Sequence, residues 1–111
     1  LGSNDLGNEG MAILAHAPIF SEVSTLNLEC NSITAQGANA LAQSPYLTKV
    51  EHLNLVDNRI GDEGAMAIAN SDNLSNLNYL HLGGNRIKSE EARSALKNSS
   101  KLAKLEKLKI F

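Results

Sequence analysis

Four side chains in the middle of the chain belong to the types that carry covalent or metal chemistry. They are Cys30, His52, Asp57 and His81. A thiol beside an imidazole that a carboxylate orients makes a cysteine nucleophile, and two histidines with a third ligand bind zinc. Both chemistries need direct contact, within ~3 Å for a nucleophile and its base. The elements that position these residues therefore decide whether either chemistry is available.

The chain repeats itself at a nearly constant interval. The segment LNLECNSITAQGANALA at 26–42 is followed 27 positions later by LNLVDNRIGDEGAMAIA at 53–69. The consensus is L-x-x-L-x-L-x-x-N-x-I, followed after three residues by G-A-x-A-[LI]-A. The apolar columns, at spacings of 27, 27 and 28, are Val23, Val50, Leu77 and Leu105; Leu26, Leu53, Leu80 and Leu108; and Leu28, Leu55, Leu82 and Ile110.

Each repeat contains two different periods. The alternation L-x-L is typical of a short strand with one buried face. In the segment after it, apolar residues such as Ala38, Leu41 and Ala42 recur at spacings of three and four, which predicts a helix with one apolar stripe. The predicted strands lie near 24–28, 51–55, 78–82 and 106–110, and the predicted helices near 9–16, 35–43, 62–70 and 89–98.

Two further columns are expected to be structural. Asparagines recur where the chain must turn away from each strand, and an inward-pointing amide can bond the backbone groups that such a turn leaves unpaired. These are Asn4, Asn31, Asn58 and Asn85. Glycines recur at the helix starts, where we expect the missing side chain to allow close approach of helix to strand. These are Gly10, Gly37 and Gly64. Just ahead of the helices, we expect N-cap bonds from Thr34, Asp62 and Ser89.

The repeated pattern resembles the leucine-rich repeat family over nearly the whole chain. The helical segments GANALA and GAMAIA are similar to the ribonuclease-inhibitor-like class, and especially to the GALA-type repeats of bacterial effectors. We expect an α/β fold, a right-handed solenoid of about four strand–helix units with its parallel sheet on the concave side. One domain would span 1–111, with repeats near 1–22 (partial), 23–49, 50–76, 77–104 and 105–111 (partial).

Stacked strands keep the chemically capable side chains apart. Cys30 would be level with Asp57, whereas His52 lies five residues back along that strand, roughly 16 Å away at ~3.3 Å per residue. His52 and His81 would lie on adjacent strands but two residues out of register, roughly 8 Å apart. No third metal ligand is evident beside them. We therefore expect no enzyme activity, no metal and no cofactor.

The strand residues that point away from the core define the concave face. Equivalent positions line up across neighbouring strands, ~4.8 Å apart. Tyr79, flanked by His52 and Lys107, is the expected contact centre, because aromatic and cationic groups dominate interface energetics. The sequence therefore predicts binding of another protein. The predicted contact residues are Thr25, Asn27, Glu29, His52, Asn54, Val56, Asp57, Tyr79, His81, Lys107 and Lys109.

Charge is divided unevenly along the chain. Nine acidic and two basic residues precede Arg86, and eight basic and three acidic residues follow from Arg86 onward. Five of the basic residues lie on the last predicted outer helix and its loop, with no interleaved aromatic residue beyond Tyr79, so nucleic acid is not an expected partner. They are Lys88, Arg93, Lys97, Lys101 and Lys104. Neither is a membrane, since no apolar run approaches the ~20 residues of a span. The single cysteine, Cys30, favours a reducing cytosol.

Both ends of the chain fall inside a repeat. Leu1 belongs to the column of Leu28, and the final LEKLKIF is a strand pattern with no helix after it. We expect an incomplete array whose ends can associate end to end. The resemblance implies a protein-binding part of a secreted bacterial effector, acting in a host cytosol. The alternatives are a structural segment that associates through uncapped ends, or a fragment of a eukaryotic-type receptor or inhibitor.

Overall fold

The computed structural model describes residues 5–111, so the predictions for Asn4 and for the start of the first repeat lie outside the described residues. Helices and strands alternate along the chain, and one additional turn of 3-10 helix, Pro18–Phe20, lies between the first helix and the first strand. In chain order the elements are α1 (Gly7–Ala15), β1 (Thr25–Asn27), α2 (Ala35–Ala42), β2 (His52–Asn54), α3 (Gly61–Ala69), β3 (Tyr79–His81), α4 (Glu90–Lys97) and β4 (Lys107–Lys109).

The four strands form one parallel sheet in sequence order, β1-β2-β3-β4. Thr25 pairs with His52, His52 with Tyr79, and Tyr79 with Lys107, so the register follows the spacing of the repeat, including its final 28. Each connection runs through a helix, as parallel strands require. The predicted fold class, an α/β solenoid of strand–helix units with one parallel sheet, is confirmed.

The strands are shorter than predicted because the backbone turns sharply soon after them. Backbone bonds between repeats continue past β1, from Leu28 N–H to the Asn54 carbonyl at 2.8 Å and from Cys30 N–H to the Val56 carbonyl at 3.0 Å. Cys30 and Asp57 then take φ values of 56° and 57°, in the left-handed region. A residue in that region ends the extended conformation and carries the chain toward the next helix.

The core is a row of equivalent layers between sheet and helices. Leu26, Leu53 and Leu80 are buried at the middle of their strands, and each helix adds an apolar stripe such as Leu41 with Ala38 in α2. Leu108, in the last strand of the row, is only partly buried. Each layer therefore depends on the layers beside it.

The repeated glycines were predicted to allow a close approach of helix to strand, but the structure places other groups beside them. A Cβ on Gly10 would lie 2.6 Å from the Leu6 side chain, in the turn that leads into the same helix. A Cβ on Gly64 would collide with Ile60 and lie 3.2 Å from Cβ of Ala38 in the neighbouring helix. The prediction that these glycines approach the strands was wrong, because the atoms nearest to such a Cβ belong to side chains at the helix starts, such as Ile60, and to the neighbouring helix.

Helix starts differ between successive repeats, which corrects two of the three expected N-caps. Ser89 does cap its helix, by accepting the Ala92 N–H at 3.0 Å. Thr34 precedes α2 but makes no side-chain cap, and its hydroxyl instead accepts a bond from the Asn8 amide at 2.8 Å. Asp62 lies inside the first turn of α3 rather than ahead of it. Its carboxylate bonds to the backbone of the next repeat.

Candidate functional site

Buried asparagines fix the backbone just beyond the concave face. The Asn58 Oδ1 atom accepts the N–H groups of Asn31 at 2.9 Å and Ile33 at 3.0 Å, both in the preceding repeat. Its amide donates to the carbonyls of Leu28 and Leu55, each at 2.9 Å. One side chain thus bonds to two repeats at the end of their strands.

The same arrangement recurs on either side of Asn58. Asn85 accepts the Ile60 N–H at 3.2 Å and donates to the Leu55 carbonyl at 2.7 Å. Asn31 accepts the Leu6 N–H at 3.0 Å. Among the described residues no buried side-chain nitrogen or oxygen lacks a partner. The turn after each strand is therefore held in a fixed position relative to the next.

A column of serines, which the sequence reading missed, links the other ends of the helices. The Ser44 hydroxyl donates to the Ala15 carbonyl at 2.5 Å, and the Ser71 hydroxyl donates to the Ala42 carbonyl at 2.6 Å. Ser99 bonds the Ala69 carbonyl in the same way. The sequence carries a signal for this column, because the three serines recur at the repeat spacings of 27 and 28.

Tyr79 lies at the centre of a cluster of rings on the concave face. Its ring centroid is 5.7 Å from that of His52 on β2, with the planes tilted by 35°. His81, two residues along β3, meets Tyr79 edge to face at 6.2 Å, and a 3.3 Å hydrogen bond joins the Tyr79 hydroxyl and His81 Nδ1. Lys107 is the register partner of Tyr79 on β4.

These residues border a shallow cleft at the start of the strands. Its volume is about 380 Å³, and its lining residues are His52, Asn78, Tyr79, Glu106 and Lys107. The cleft offers an aromatic ring, an imidazole and an ammonium group side by side. Such a mixture provides apolar area together with hydrogen-bond donors, which is the chemistry of a contact centre.

The remaining predicted contact residues differ in how free their side chains are. Thr25 is exposed, and Lys109, beside His81, is exposed as well. The side chain of Asn27 accepts the Glu29 N–H at 3.2 Å, and that of Asn54 accepts the Val56 N–H at 3.0 Å. These two amides hold their own backbone, which leaves them fewer groups for a partner.

The candidate nucleophile has a carboxylate beside it. Cys30 is exposed, and its Sγ lies 4.0 Å from Oδ2 of Asp57, level with it as the repeat predicted. Within residues 5–111 no group of three or more His, Cys, Asp or Glu side chains is placed to hold a metal ion.

One carboxylate in the described structure has a shifted pKa. The Ser89 N–H bonds to Asp62, and this bond is the main cause that lowers the pKa of Asp62 below its ordinary value of 3.8. Desolvation opposes the shift, and a further bond from the Lys88 N–H adds to it. The distances to Oδ1 are 3.0 Å from Ser89 and 2.8 Å from Lys88. Ionised Asp62 thus holds the start of the next helix.

Comparisons with known proteins agree with this architecture. The chain is similar in structure to "Leiomodin-1 Actin-Binding Site 2 (ABS2)", with a TM-score of 0.75 and 19% sequence identity. The match covers 97% of this chain but 66% of that structure, and at this identity it shows the fold alone. No curated protein matches the sequence significantly. The described helices include none with the length and hydropathy to cross a membrane.

The family itself is shown by the sequence match. The model of the family described as "Leucine Rich repeat" matches residues 23–42, 46–69 and 73–90, which is more than half of the chain. These segments contain β1 to β3 with α2 and α3, so they coincide with the regular part of the stack. The chain belongs to the leucine-rich repeat family.

Proposed function

We propose that this chain is a non-catalytic module that binds another protein on its concave face. The observation that carries the proposal is the Tyr79 cluster, in which His52, His81 and Lys107 surround one aromatic ring. Aromatic and cationic side chains are the groups that most often dominate binding energy. The asparagine bonds beneath the face keep it rigid, which lowers the entropic cost of association.

The comparisons support a protein as the class of partner. Leucine-rich repeats stack into extended surfaces that suit macromolecular contacts. The similar structure is named as an actin-binding site, so its name gives another protein, actin, as the partner of a similar fold. Identity of 19% is too low to assign the same partner to this chain. The partner of this chain is therefore proposed as a class only.

A triple substitution tests the concave face directly. His52→Ala, Tyr79→Ala and Lys107→Ala together should abolish capture of a partner that the wild-type chain retains, with little change in melting temperature. The matched control changes three exposed positions on the helical side, His16→Ala, Gln36→Ala and Lys97→Ala. Capture that survives the face variant would refute the proposal.

In the alternative proposal, the partner binds at β4 and the residues that follow it. Phe111 favours it, because its ring is 84% exposed and lies 5.5 Å from the Arg93 guanidinium. Phe111→Ser removes this apolar group without touching the buried core. Under the concave-face proposal the substitution leaves capture unchanged, whereas loss of capture would favour association through the end.

Narrower predictions rest on the sequence pattern and extend the proposal. The chain is predicted to belong to the ribonuclease-inhibitor-like class, with GALA-type repeats. It is predicted to act as part of a secreted bacterial effector in a reducing host cytosol. Its complete repeats are predicted at 23–49, 50–76 and 77–104, between partial units. Partners other than a protein, namely nucleic acid or a membrane, are not part of the proposal. Translocation of the tagged chain into host cells during infection would support the effector role, and failure to translocate would remove it.

A further inference from the structure

Two exposed lysines lie two residues apart on β4. Lys107 and Lys109 are both exposed, and they occupy alternate positions of the strand. Residues i and i+2 of a strand point to the same face, ~6.6 Å apart at ~3.3 Å per residue. In residues 5–111 the ion pairs join Lys49 to Glu22 and Lys101 to Asp72. Within that part of the chain, neither lysine of β4 has an ion-pair partner.

Acidic side chains lie before and after the strands of the sheet, and one of them, Glu106, lines the same cleft as Lys107. Glu51 and Glu106 belong to the column that precedes the strands, and both are exposed. Glu29 and Asp57 follow the strands of the first two complete repeats. An anionic ligand is repelled from this rim and from these strand ends, and it is attracted to β4. Charge alone therefore restricts such a ligand to the β3–β4 side.

The neighbours of the lysines on β3 suit the rest of such a ligand. Tyr79 pairs with Lys107, and His81 pairs with Lys109, so each lysine has a ring-bearing residue at the same level of the neighbouring strand. Both rings are half-buried, and they lie edge to face with their centroids 6.2 Å apart. An extended peptide above this surface can place carboxylates on the lysines and its aliphatic carbons on the rings.

We propose that the β3–β4 side of the concave face binds an extended acidic segment of the protein partner, with carboxylates at alternate positions over Lys107 and Lys109. The inference rests on the proposed function and adds the chemistry of the ligand. In an extended chain the side chains of alternate residues are ~6.6 Å apart on one side. This spacing equals that of the two lysines. A segment of the form Glu-x-Glu fits, whereas adjacent glutamates point in opposite directions.

Synthetic peptides of about ten residues test the inference by fluorescence anisotropy. The probe alternates Glu with Ser, one control replaces every Glu by Gln, and a second control has the same charge in blocks of Glu-Glu-Ser-Ser. The alternating peptide should bind most tightly to the wild-type chain. The double variant Lys107→Ala, Lys109→Ala should bind it at least about 10-fold more weakly, because two charge-assisted contacts are lost.

A control of equal charge separates these contacts from general attraction. Lys88→Ala with Lys97→Ala removes two exposed lysines from the helical side and should change affinity less than about 2-fold. Equal weakening in both double variants would overturn the inference. Equal affinity of the wild-type chain for the block peptide and the alternating peptide would also overturn it. So would a single-stranded oligonucleotide of the same charge that binds the wild-type chain as tightly as the alternating peptide and loses affinity in the β4 double variant.

The inference and the proposed function fail in different ways. If the acidic peptide does not bind, but His52→Ala with Tyr79→Ala abolishes partner capture, the acidic ligand is wrong and the concave face stands. If partner capture survives both that pair and Lys107→Ala with Lys109→Ala, the concave face itself is not the binding surface. If peptide binding and partner capture are both lost with the β4 lysines, both proposals are supported.

Discussion

At the scale of single residues, the structure is held by polar side chains that reach from one repeat to the next. The structural role of the asparagine column could be predicted from the sequence, because an asparagine recurs at the repeat interval shortly after each strand pattern. The partner of Asp62 was not readable. Its carboxylate bonds Lys88 and Ser89, 26 and 27 positions away, and these bonds depend on the distance between helix starts in adjacent repeats.

Asn58 should be the most sensitive polar position in the described chain. Asn58→Ala leaves the N–H groups of Asn31 and Ile33 and the carbonyl of Leu28 without this partner in a buried site. We expect a loss of ~2–4 kcal/mol in the free energy of unfolding, measured by urea titration. Asn39→Ala, the same change on an exposed helix position, should cost less than ~0.5 kcal/mol. Equal losses would contradict the role of the buried amide.

The pKa of Asp62 links stability to pH. Because its folded-state pKa lies below 3.8, the ionised carboxylate stabilises the fold above that pH, and the contribution is lost as pH falls through the folded-state value. Asp62→Asn keeps an acceptor oxygen, as Asn8 does at the equivalent position, where it accepts the Thr34 N–H at 3.0 Å. The variant should fold and should show a shallower loss of stability below about pH 4.

The matched control for this acid titration is Glu63→Gln, a change of an exposed neighbouring carboxylate. Thermal melts of the three proteins between neutral and acid pH supply the measurement. If Asp62→Asn follows the same slope as the wild type, the carboxylate bonds to the next helix do not contribute in solution.

At the scale of elements, helix starts alternate between two kinds. Gly7 and Gly61 take φ values of 67° and 66° and donate to the carbonyls of Asn31 and Asn85 in the next repeat. The N–H groups of Thr34 and Lys88 instead donate to Oδ1 of Asn8 and Oδ1 of Asp62 in the preceding repeat. The sequence shows the difference as GNEG and GDEG against TAQG and KSEE. A single consensus for all repeats does not show this difference, because the difference recurs only in every second repeat.

The repeat predicted the register of every strand pair and placed the helix boundaries within two residues. It did not predict the 3-10 turn at Pro18–Phe20, since this segment has no counterpart of the same type in the other repeats. Each strand is one residue shorter at both ends than predicted. The apolar alternation extends to Leu28 and Leu55, whereas β1 and β2 end one residue earlier and the backbone turns at Cys30 and Asp57, which adopt left-handed angles. Apolar spacing shows which face is buried, not where φ changes sign.

Equivalent leucines should differ in their contribution according to their place in the stack. Leu53 is fully buried with a strand on each side, so Leu53→Ala should cost ~2–5 kcal/mol. Leu108 is half-buried on the edge strand, and Leu108→Ala should cost less. Chemical denaturation of both variants measures the difference. Equal losses would contradict a stack in which each layer depends on its two neighbours.

At the scale of the whole molecule, stacking turns single positions of the repeat into continuous surfaces. This explains why the cluster of His52, Tyr79 and Lys107 could be predicted from spacing alone: a constant register aligns equivalent residues. The hydrogen bond between Tyr79 and His81 could not be predicted, because it depends on side-chain rotamers. The partner is not encoded in the repeat either, since the repeat describes the scaffold and not the ligand.

The histidines allow the most direct test of the concave face without any substitution. His52 and His81 lie on this face, whereas His16 is exposed at the end of α1. Carbethoxylation of the imidazoles, quantified by mass spectrometry with and without the captured partner, compares the surfaces in one experiment. We expect labelling of His52 and His81 to fall in the complex while labelling of His16 stays the same. Protection of His16 with unchanged labelling of His52 would contradict binding on the concave face.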